Sequence, residues 1–311
     1  MNNKVAIVFG LANQRSLAWY STLALLNHAD FTHVVCVYQN DRYKEAVERI
    51  VAVQNAHMKE VSSQSNSIVN FQHCSKRIST LQCDVSYENE VQYLFTDRLP
   101  SLLEMDMNSR GNSHQHEMKL DALVHSVAFA PSDAMKGHDS LPLLHTSQDA
   151  FVTSHIVSAF SLLTVSKHAL DLLSSSIERN ESTSIQSKRS PSITALTYIG
   201  SSRAVRNYNI MGPAKASLES IIRGLALELG PEPYSIRVNG VSSGPVNTLA
   251  ARGIKGFVDM KQEASKRSCL NRNVTADEVA NVVAFLADGE RSSGITGQIV
   301  FCDSGLSSVA I

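Results

Sequence analysis

Short apolar runs separated by longer amphipathic stretches make up most of this 311-residue chain. The runs are rich in Val, Ile and Leu, which is typical of strands buried on both faces of a parallel sheet. They occupy residues 4–9, 33–38, 120–126, 192–198, 236–241 and 297–303. The stretches between them have helical apolar spacing, as at residues 42–53 and 151–173. This alternation predicts an α/β fold, a single-domain, Rossmann-type, doubly wound parallel sheet.

Three polar stretches interrupt the alternation, at about residues 54–80, 106–119 and 174–190. They are rich in residues such as Ser, Asn, Gln and His and lack steady apolar spacing, so each predicts an exposed insertion in one domain of residues 1–311. The second contains His114 and His116. Two histidines without a third ligand nearby favour a loop over a metal site, so we expect no bound metal.

Charge and cysteine content restrict the partners. The formal net charge is -1 and 18% of residues are charged, which gives no basic field for nucleic acid. The five cysteines form no C-x-x-C pair, so neither a disulfide framework nor a zinc site is indicated. No apolar run is near the ~20 residues of a membrane span, and only three residues precede the first strand, so for a complete chain we expect neither a membrane span nor a targeting segment. The expectation is a cytoplasmic protein.

Tyr198, Tyr208 and Lys215 lie in a run of otherwise small and apolar residues. The last two are seven positions apart, about two helical turns, so a continuous helix would put both on one face. Pro213 lies between them and is tolerated only in a first turn, so we expect the helix to begin near Asn209, a good cap. A nearby ammonium favours the ionised form of a phenol and strengthens its hydrogen-bond donation, which suits an oxyanion. The alternative is a tyrosine at the edge of the core beside a solvated lysine.

A nucleotide site is indicated after the first two runs. Gly10 ends the first, and Ser16 can cap a helix whose N-terminus would hold a pyrophosphate. The other glycines of G-x-G-x-x-G are missing, so a plain strand-turn-helix stays open. Gln39 ends the second run, where such folds bind the adenosine ribose, and a glutamine can hydrogen-bond a ribose hydroxyl. Arg15 and Arg42 could instead meet a 2′-phosphate, so NADPH stays open beside NADH.

Residues 198–215 and 236–250 resemble the enoyl-acyl-carrier-protein reductases, a divergent branch of the short-chain dehydrogenase/reductases. The resemblance covers most of the chain apart from the insertions. Generic members of the superfamily use Tyr-x3-Lys, and here Met211 stands at the position of that tyrosine. Ala195 and Leu196 stand where those enzymes place a catalytic serine. This spacing separates enoyl reduction from ordinary carbonyl reduction.

The resemblance implies NADH-dependent reduction of the trans-2 double bond of enoyl thioesters in fatty-acid synthesis, on acyl carrier protein or coenzyme A. It implies that Tyr208 stabilises the enolate, Lys215 holds the nicotinamide ribose, and Tyr198 shapes the pocket and assists. The cofactor-binding residues that it implies are Gly10, Ser16, Leu17, Gln39, Asp84, Val85, Ser126, Val127, Lys215, Val246, Thr248, Leu249 and Ala250. The substrate-binding residues are Ala130, Tyr198, Tyr208 and Met211.

Two further expectations follow from the resemblance. A mobile loop at about residues 248–267 would cover the substrate. The amphipathic helix at residues 151–173 would pack on a partner subunit in a homodimer or homotetramer, with a core-facing helix in a monomer as the alternative.

Two other functions stay open at this stage. One is a different short-chain reductase that acts on a carbonyl or dienoyl thioester. Met211 and the missing serine argue against the carbonyl version. The other is a nucleotide-binding scaffold without turnover, which the three insertions and four departures from the family pattern would motivate. These departures are Tyr20, Ala128, Pro213 and Ser304.

Overall fold

A computed structural model describes residues 4–64, 76–109, 119–136, 141–174, 190–248 and 251–309. Within these residues seven parallel strands form one sheet, namely β1 Lys4–Phe9, β2 Phe31–Tyr38, β3 Arg77–Gln82, β4 Ala122–His125, β5 Ser192–Tyr198, β6 Arg237–Ser243 and β7 Ile299–Cys302. Their order in the sheet is β3-β2-β1-β4-β5-β6-β7. Strand order reverses between β1 and β4, and open sheets of this kind bind ligands at such a reversal.

Helices connect successive strands. They are α1 Leu17–His28, α2 Asp41–Gln64, α3 Glu88–Tyr93, α4 Leu99–Ser109, α5 Ser132–Lys136, α6 Gln148–His155, α7 Ser161–Ser174, α8 Met211–Leu229, α9 Phe257–Arg267 and α10 Ala276–Ala287. Two π-helical segments, Leu94–Arg98 and Ile156–Phe160, join α3 to α4 and α6 to α7. The predicted α/β, doubly wound architecture is confirmed.

The core lies on both faces of the sheet because alternate strand residues point to opposite sides. On β1, Ile7 and Phe9 pack into a cluster with α4, α7 and α8, whereas Ala6 and Val8 pack into a second cluster with α1 and α10. Tyr20, a departure from the family pattern, is partly buried against this second cluster. The helix α1 therefore packs on the fold despite the larger side chain.

The insertions differ in part from the prediction. Helix α2 continues through residues 54–64, whereas the sequence predicts its end at residue 53. Strand β3 begins at Arg77, within the predicted first insertion. Asn55 explains part of this, because its side chain bonds both the N–H and the carbonyl of Ile78 at 2.9 and 2.8 Å and fixes the helix to β3. Helix α4 extends to Ser109. Residues 65–75, 110–118 with His114 and His116, and 175–189 lie outside the described residues.

The continuous helix Gln148–Ser174 corrects the expectation that no apolar stretch reaches membrane-spanning length. Among the described residues it is the one helix long and apolar enough, with a window of mean hydropathy 1.4. However, 56% of that window is buried within the fold, as in the core helix of a globular protein. Its length and apolarity have two causes: one face packs on the sheet, and the other exposes Phe151, Val152, Ile156 and Phe160.

Arg237 joins the start of β6 to the C-terminus of α10. Its buried guanidinium donates to the carbonyl of Leu286 at 2.9 Å, to the carbonyl and Oγ of Ser292 at 3.1 and 2.9 Å, and to Ser190. Burial lowers the pKa of Arg237 to about 10. The side chain still carries its charge at neutral pH and satisfies carbonyls that would otherwise be buried without a partner.

Replacement of Arg237 by methionine is expected to lower the free energy of unfolding by about 3 kcal/mol, because several buried acceptors lose their donor. Urea denaturation followed by circular dichroism measures the change. The control is Arg223→Met, at an exposed position on α8, which should stay within about 0.5 kcal/mol of the parent. Equal stability of the two variants would contradict the assigned role of Arg237.

Candidate active site

One cavity of about 610 Å³ lies at the carboxyl ends of the strands, where β1 and β4 diverge. The structure brings together there every predicted site residue that it describes. Those lining the cavity are Gly10, Ser16, Leu17, Gln39, Asp84, Val85, Ser126, Val127, Ala130, Tyr198, Tyr208, Met211, Lys215, Val246 and Thr248. Leu249 and Ala250 lie outside the described residues. The residues of one predicted site thus share one space, although they are distant in sequence.

The turn from β1 into α1 forms one end of the cavity. Gly10 has a φ of 96°, and a Cβ there would lie 2.1 Å from the carbonyl oxygen of Ser126. The glycine is therefore required for the close approach of the segments that follow β1 and β4. Ser16 caps α1 by accepting from the N–H of Trp19 at 3.3 Å. The N-terminus of α1 lies at the cavity with its positive dipole end.

Gln39 and Asp84 meet where β2 and β3 end. The amide of Gln39 donates to Asp84 Oδ2 at 2.9 Å, while Asp84 Oδ1 accepts from the N–H of Ser86 at 2.9 Å. Arg42 is placed with its guanidinium carbon 5.8 Å from the centre of the Tyr43 ring. A carboxylate, held by its neighbours, is thus present at this end of the cavity.

Tyr198 and Tyr208 lie together although they leave different elements. Tyr198 ends β5, and Tyr208 precedes α8, with ring centroids 4.9 Å apart in an edge-to-face arrangement. Gly200 makes room for this pair, since a Cβ there would lie 2.5 Å from the Tyr208 ring. The Tyr198 hydroxyl is 3.8 Å from Met260 Sδ, a weak acceptor on α9. Two phenols therefore line the same part of the cavity.

Helix α8 begins later than predicted, and Asn209 is not its cap. The helix starts at Met211, Ile210 occupies the cap position, and Pro213 lies in the first turn, where proline costs little. Asn209 adopts a φ of 38° and donates to the carbonyls of Ala134 and Met135 at 3.2 and 3.1 Å. The asparagine serves a long-range contact with α5 in place of a local cap, and Tyr208 lies outside the helix.

Lys215 is buried and faces the cavity from the second turn of α8. Its Nζ donates to the carbonyl oxygen of Leu196 at 2.8 Å, which leaves two N–H donors for other partners. Burial lowers its pKa to about 8, and the negative charge of Glu219 opposes that change. Lys215 is therefore mostly charged at neutral pH, and the alternative of a solvated lysine is wrong.

The phenols remain protonated. Burial raises the pKa of Tyr198 to about 12, with a smaller contribution from Asp303. Burial also raises the pKa of Tyr208 well above its usual value, and the neighbouring Tyr198 and Glu219 add to the rise. The net change is opposite to the effect expected of a nearby lysine, because loss of hydration dominates the pKa of both phenols. Both tyrosines are neutral hydrogen-bond donors at physiological pH.

The side of the cavity after β6 is partly helical. Thr248 donates its N–H to the carbonyl of Val246 at 2.8 Å, and its Oγ1 accepts from Ala251 at 3.1 Å. Within the predicted covering loop, residues 251–253 form a 3-10 helix and α9 begins at Phe257. Phe257 and Met260 of α9 line the cavity, so α9 covers the tyrosines.

Several lining residues were missed by sequence reasoning. One of them is Val157, and another is Leu196, which also provides the carbonyl that binds Lys215. Their contributions come from backbone atoms or ordinary apolar side chains, for which the sequence carries no distinctive signal.

The geometry agrees with what comparison with known proteins shows. Residues 59–307 match the model of the family described as enoyl-(acyl carrier protein) reductase. An NADH-dependent enoyl-[acyl-carrier-protein] reductase of Neisseria meningitidis is 34% identical over 99% of this chain and 96% of its own length. An NADPH-dependent one of Staphylococcus aureus is 31% identical over 99% of this chain and 98% of its own.

Solved structures give the same result. The Bacillus cereus enoyl-acyl carrier protein reductase, with NADP+ and indole naphthyridinone, superposes with a TM-score of 0.75 at 30% identity over 99% of this chain and 98% of that one. The Anaplasma phagocytophilum reductase in complex with NAD also gives 0.75, at 28% identity over 100% of this chain and 96% of that one. With a family model that covers most of its length, this chain belongs to the enoyl-(acyl carrier protein) reductase family, in the short-chain dehydrogenase/reductase superfamily.

Proposed function

We propose that this protein reduces the trans-2 double bond of enoyl thioesters carried on acyl carrier protein, with NADH as cofactor, in fatty-acid synthesis. The observation that carries the proposal is the pair of protonated phenols, Tyr198 and Tyr208, in one cavity with the buried cation Lys215. Neutral donors in a water-poor site suit a reaction that develops negative charge on an oxygen. Family membership and the names of the relatives support the same activity.

The described residues fit a dinucleotide. The N-terminus of α1, capped by Ser16, suits the pyrophosphate, and Gln39 with Asp84 suits the adenosine ribose. Lys215, with two N–H donors left over, suits the nicotinamide ribose. When bound, the nicotinamide supplies the hydride that C3 of the enoyl chain accepts.

The chain's own residues act on the thioester. Tyr208 donates a hydrogen bond to the thioester oxygen as negative charge moves onto it. Tyr198 packs against the Tyr208 ring, keeps it in place and assists at the same oxygen. Lys215 adds positive charge close to the developing enolate, and α9 limits the access of water.

NADH is proposed over NADPH because of Asp84. A carboxylate beside the ribose would repel a 2′-phosphate, and Gln39 is already bonded to that carboxylate. Relatives include both NADH and NADPH enzymes, so the family itself does not decide.

The two other functions have less support. A carbonyl reductase of the generic type needs a proton donor where this chain has Met211, which is buried and lines the cavity. An inactive scaffold would not need two donors and a cation to converge in one cavity.

The assembly and location are also proposals. An exposed apolar face on the long helix supports a homodimer or homotetramer, and it is formed by Phe151, Val152, Ile156 and Phe160. The cytoplasmic location stays a prediction from the sequence. Sedimentation of the purified protein as a monomer would contradict the oligomer.

The Tyr208→Phe variant is expected to lower kcat/KM for crotonyl and longer trans-2-enoyl thioesters about 10²-fold, because the ring still packs but the oxyanion donor is gone. NADH oxidation followed by absorbance measures this, with acetoacetyl thioester as a carbonyl control. Tyr198→Phe serves as the matched variant and should have the smaller effect. Unchanged activity of Tyr208→Phe would contradict the role of Tyr208 as the oxyanion donor. Turnover of the acetoacetyl substrate alone would favour a carbonyl reductase.

The Asp84→Asn variant is expected to raise kcat/KM with NADPH relative to NADH by about tenfold, since one repelling charge is removed while the size and shape of the side chain are kept. The Gln39 amide can turn to accept from the new NH2 group. The same absorbance assay with each cofactor gives the ratio. Asp171→Asn, at an exposed position on α7, removes the same charge far from the ribose and should leave the ratio unchanged. A ratio that shifts equally in both variants would show a general charge effect.

Binding of NADH to the free protein is expected to weaken as the pH rises through about 8, the pKa of Lys215. The cation is present below this pH and lost above it, so the dissociation constant should rise by up to about tenfold per pH unit above the pKa. Fluorescence titration between pH 6.5 and 9.5 measures it. Lys215→Arg keeps its charge throughout and should bind less tightly but independently of pH. A flat profile of the unmodified protein would rule out the role of the Lys215 charge.

A further inference from the structure

Ser158 lies behind the cavity wall, in the π-helical segment Ile156–Phe160, and is 0% exposed. Its Oγ accepts a hydrogen bond from the backbone N–H of Phe129 at 2.9 Å and donates one to the carbonyl of the same residue at 2.9 Å. Met211 Sδ, 4.0 Å away, is a weaker acceptor for the one hydroxyl proton. One side chain therefore satisfies both polar backbone groups of Phe129.

Phe129 belongs to the segment 126–131, which leaves β4 without regular secondary structure. Five consecutive residues of this segment, 126–130, line the cavity. At its start, the N–H of Ser126 donates to the carbonyl of Phe9 at 3.2 Å. At its end, the carbonyl of Pro131 accepts from the N–H of Met135 at 3.2 Å. In the described part of the chain, the backbone hydrogen bonds between these two points are those to Ser158. The middle of the wall thus depends on one hydroxyl.

The π-helical turn that carries Ser158 is tied to the sheet by the serine that follows it. Such a turn interrupts the regular backbone hydrogen bonds of the helix. Ser161 Oγ donates to the carbonyl of Val157 at 2.7 Å and lies 2.7 Å from His125 Nε2. Because the single Ser161 proton is used, His125 is the donor in that contact.

His125 connects this turn to the sheet. It ends β4, immediately before the segment that Ser158 holds. Burial lowers the pKa of His125 to about 3, so the ring stays neutral and keeps one donor and one acceptor over the working pH range. Strand β4 therefore supports the π-helical turn through His125 and Ser161. Ser158 of that turn holds the segment that follows β4.

We propose that Ser158 is a positioning residue for enoyl reduction: by binding both backbone groups of Phe129, it fixes the wall 126–131 opposite Tyr198 and Tyr208. Ser158 itself is not among the residues that line the cavity, so it acts through that wall. The activity part of this inference rests on the proposed function, whereas its structural part rests on the hydrogen bonds alone.

The test compares Ser158→Ala with Ser154→Ala. Ser154 is equally buried on the same helix, but its Oγ donates within the helix to Ala150 at 2.7 Å and does not hold the wall. We expect kcat/KM for a trans-2-enoyl thioester to fall about tenfold or more in Ser158→Ala relative to Ser154→Ala, since displacements of about 1 Å cost up to ~10²-fold. The dissociation constant for NADH should change by less than about threefold, because the contacts assigned to α1, Gln39, Asp84 and Lys215 lie outside this wall and Ser126 is held separately by Phe9.

Amide hydrogen exchange of the peptide that contains residues 126–131 provides a readout independent of turnover. It should become faster in Ser158→Ala and stay unchanged in Ser154→Ala, because the Phe129 N–H loses its acceptor. Ser161→Ala should change exchange in the same direction, and the double variant should be less than additive with Ser158→Ala because both act through one turn.

Equal kcat/KM and equal exchange in Ser158→Ala and Ser154→Ala would overturn the proposal. Parallel losses of NADH binding, activity and melting temperature would also overturn it, since they indicate a general loss of structure. If Ser158→Ala does not fold, Ser161→Ala decides, and unchanged exchange at 126–131 in that variant counts against the proposal. If the unmodified protein reduces no enoyl thioester, the proposed function fails, while the exchange comparison still tests the hydrogen bonds.

Discussion

The hydrogen bond from Lys215 Nζ to the Leu196 carbonyl is the interaction on which the site depends. It joins α8 to β5 at 2.8 Å, two residues before Tyr198 at the strand end. Tyr208 immediately precedes α8, so fixing the helix on the strand also sets the two rings against each other. Gly200 completes this arrangement because any side chain there would occupy the place of the Tyr208 ring. One contact thus fixes the cation and both phenols in a common frame.

Loss of hydration explains the ionisation of all three groups. A buried phenol resists giving up its proton and a buried ammonium gives it up more readily, so the pKa values of Tyr198 and Tyr208 rise while that of Lys215 falls. Neither tyrosine is therefore ionised at neutral pH. They offer neutral donors and one cation, the combination that stabilises charge only as it forms and does not have to be reorganised during the reaction.

The sequence predicts the sheet well because buried parallel strands carry an unbroken apolar signal, and the end of each strand brings site residues to one edge. It predicts less where long-range contacts override local preference. Asn209 has the chemistry of a helix cap but donates to α5, and residues 54–64 look like a polar loop but continue α2, which Asn55 fixes to β3. The ionisation of Tyr208 depends on how deeply other segments bury it, which no local pattern contains.

The long helix Gln148–Ser174 has one buried face and one exposed face, and its π-helical turn contributes a residue to each. Ser158 of this turn is buried and holds Phe129, while Phe160 of the same turn is exposed. Side chains two positions apart in a helical turn point to nearly opposite sides, so this one turn faces both the cavity wall and the surface. Any subunit that packs on Phe160 therefore also packs on the turn that supports the cavity wall. Through the π-helical turn, a contact at the surface residue Phe160 is therefore only two residues from Ser158, which holds the cavity wall.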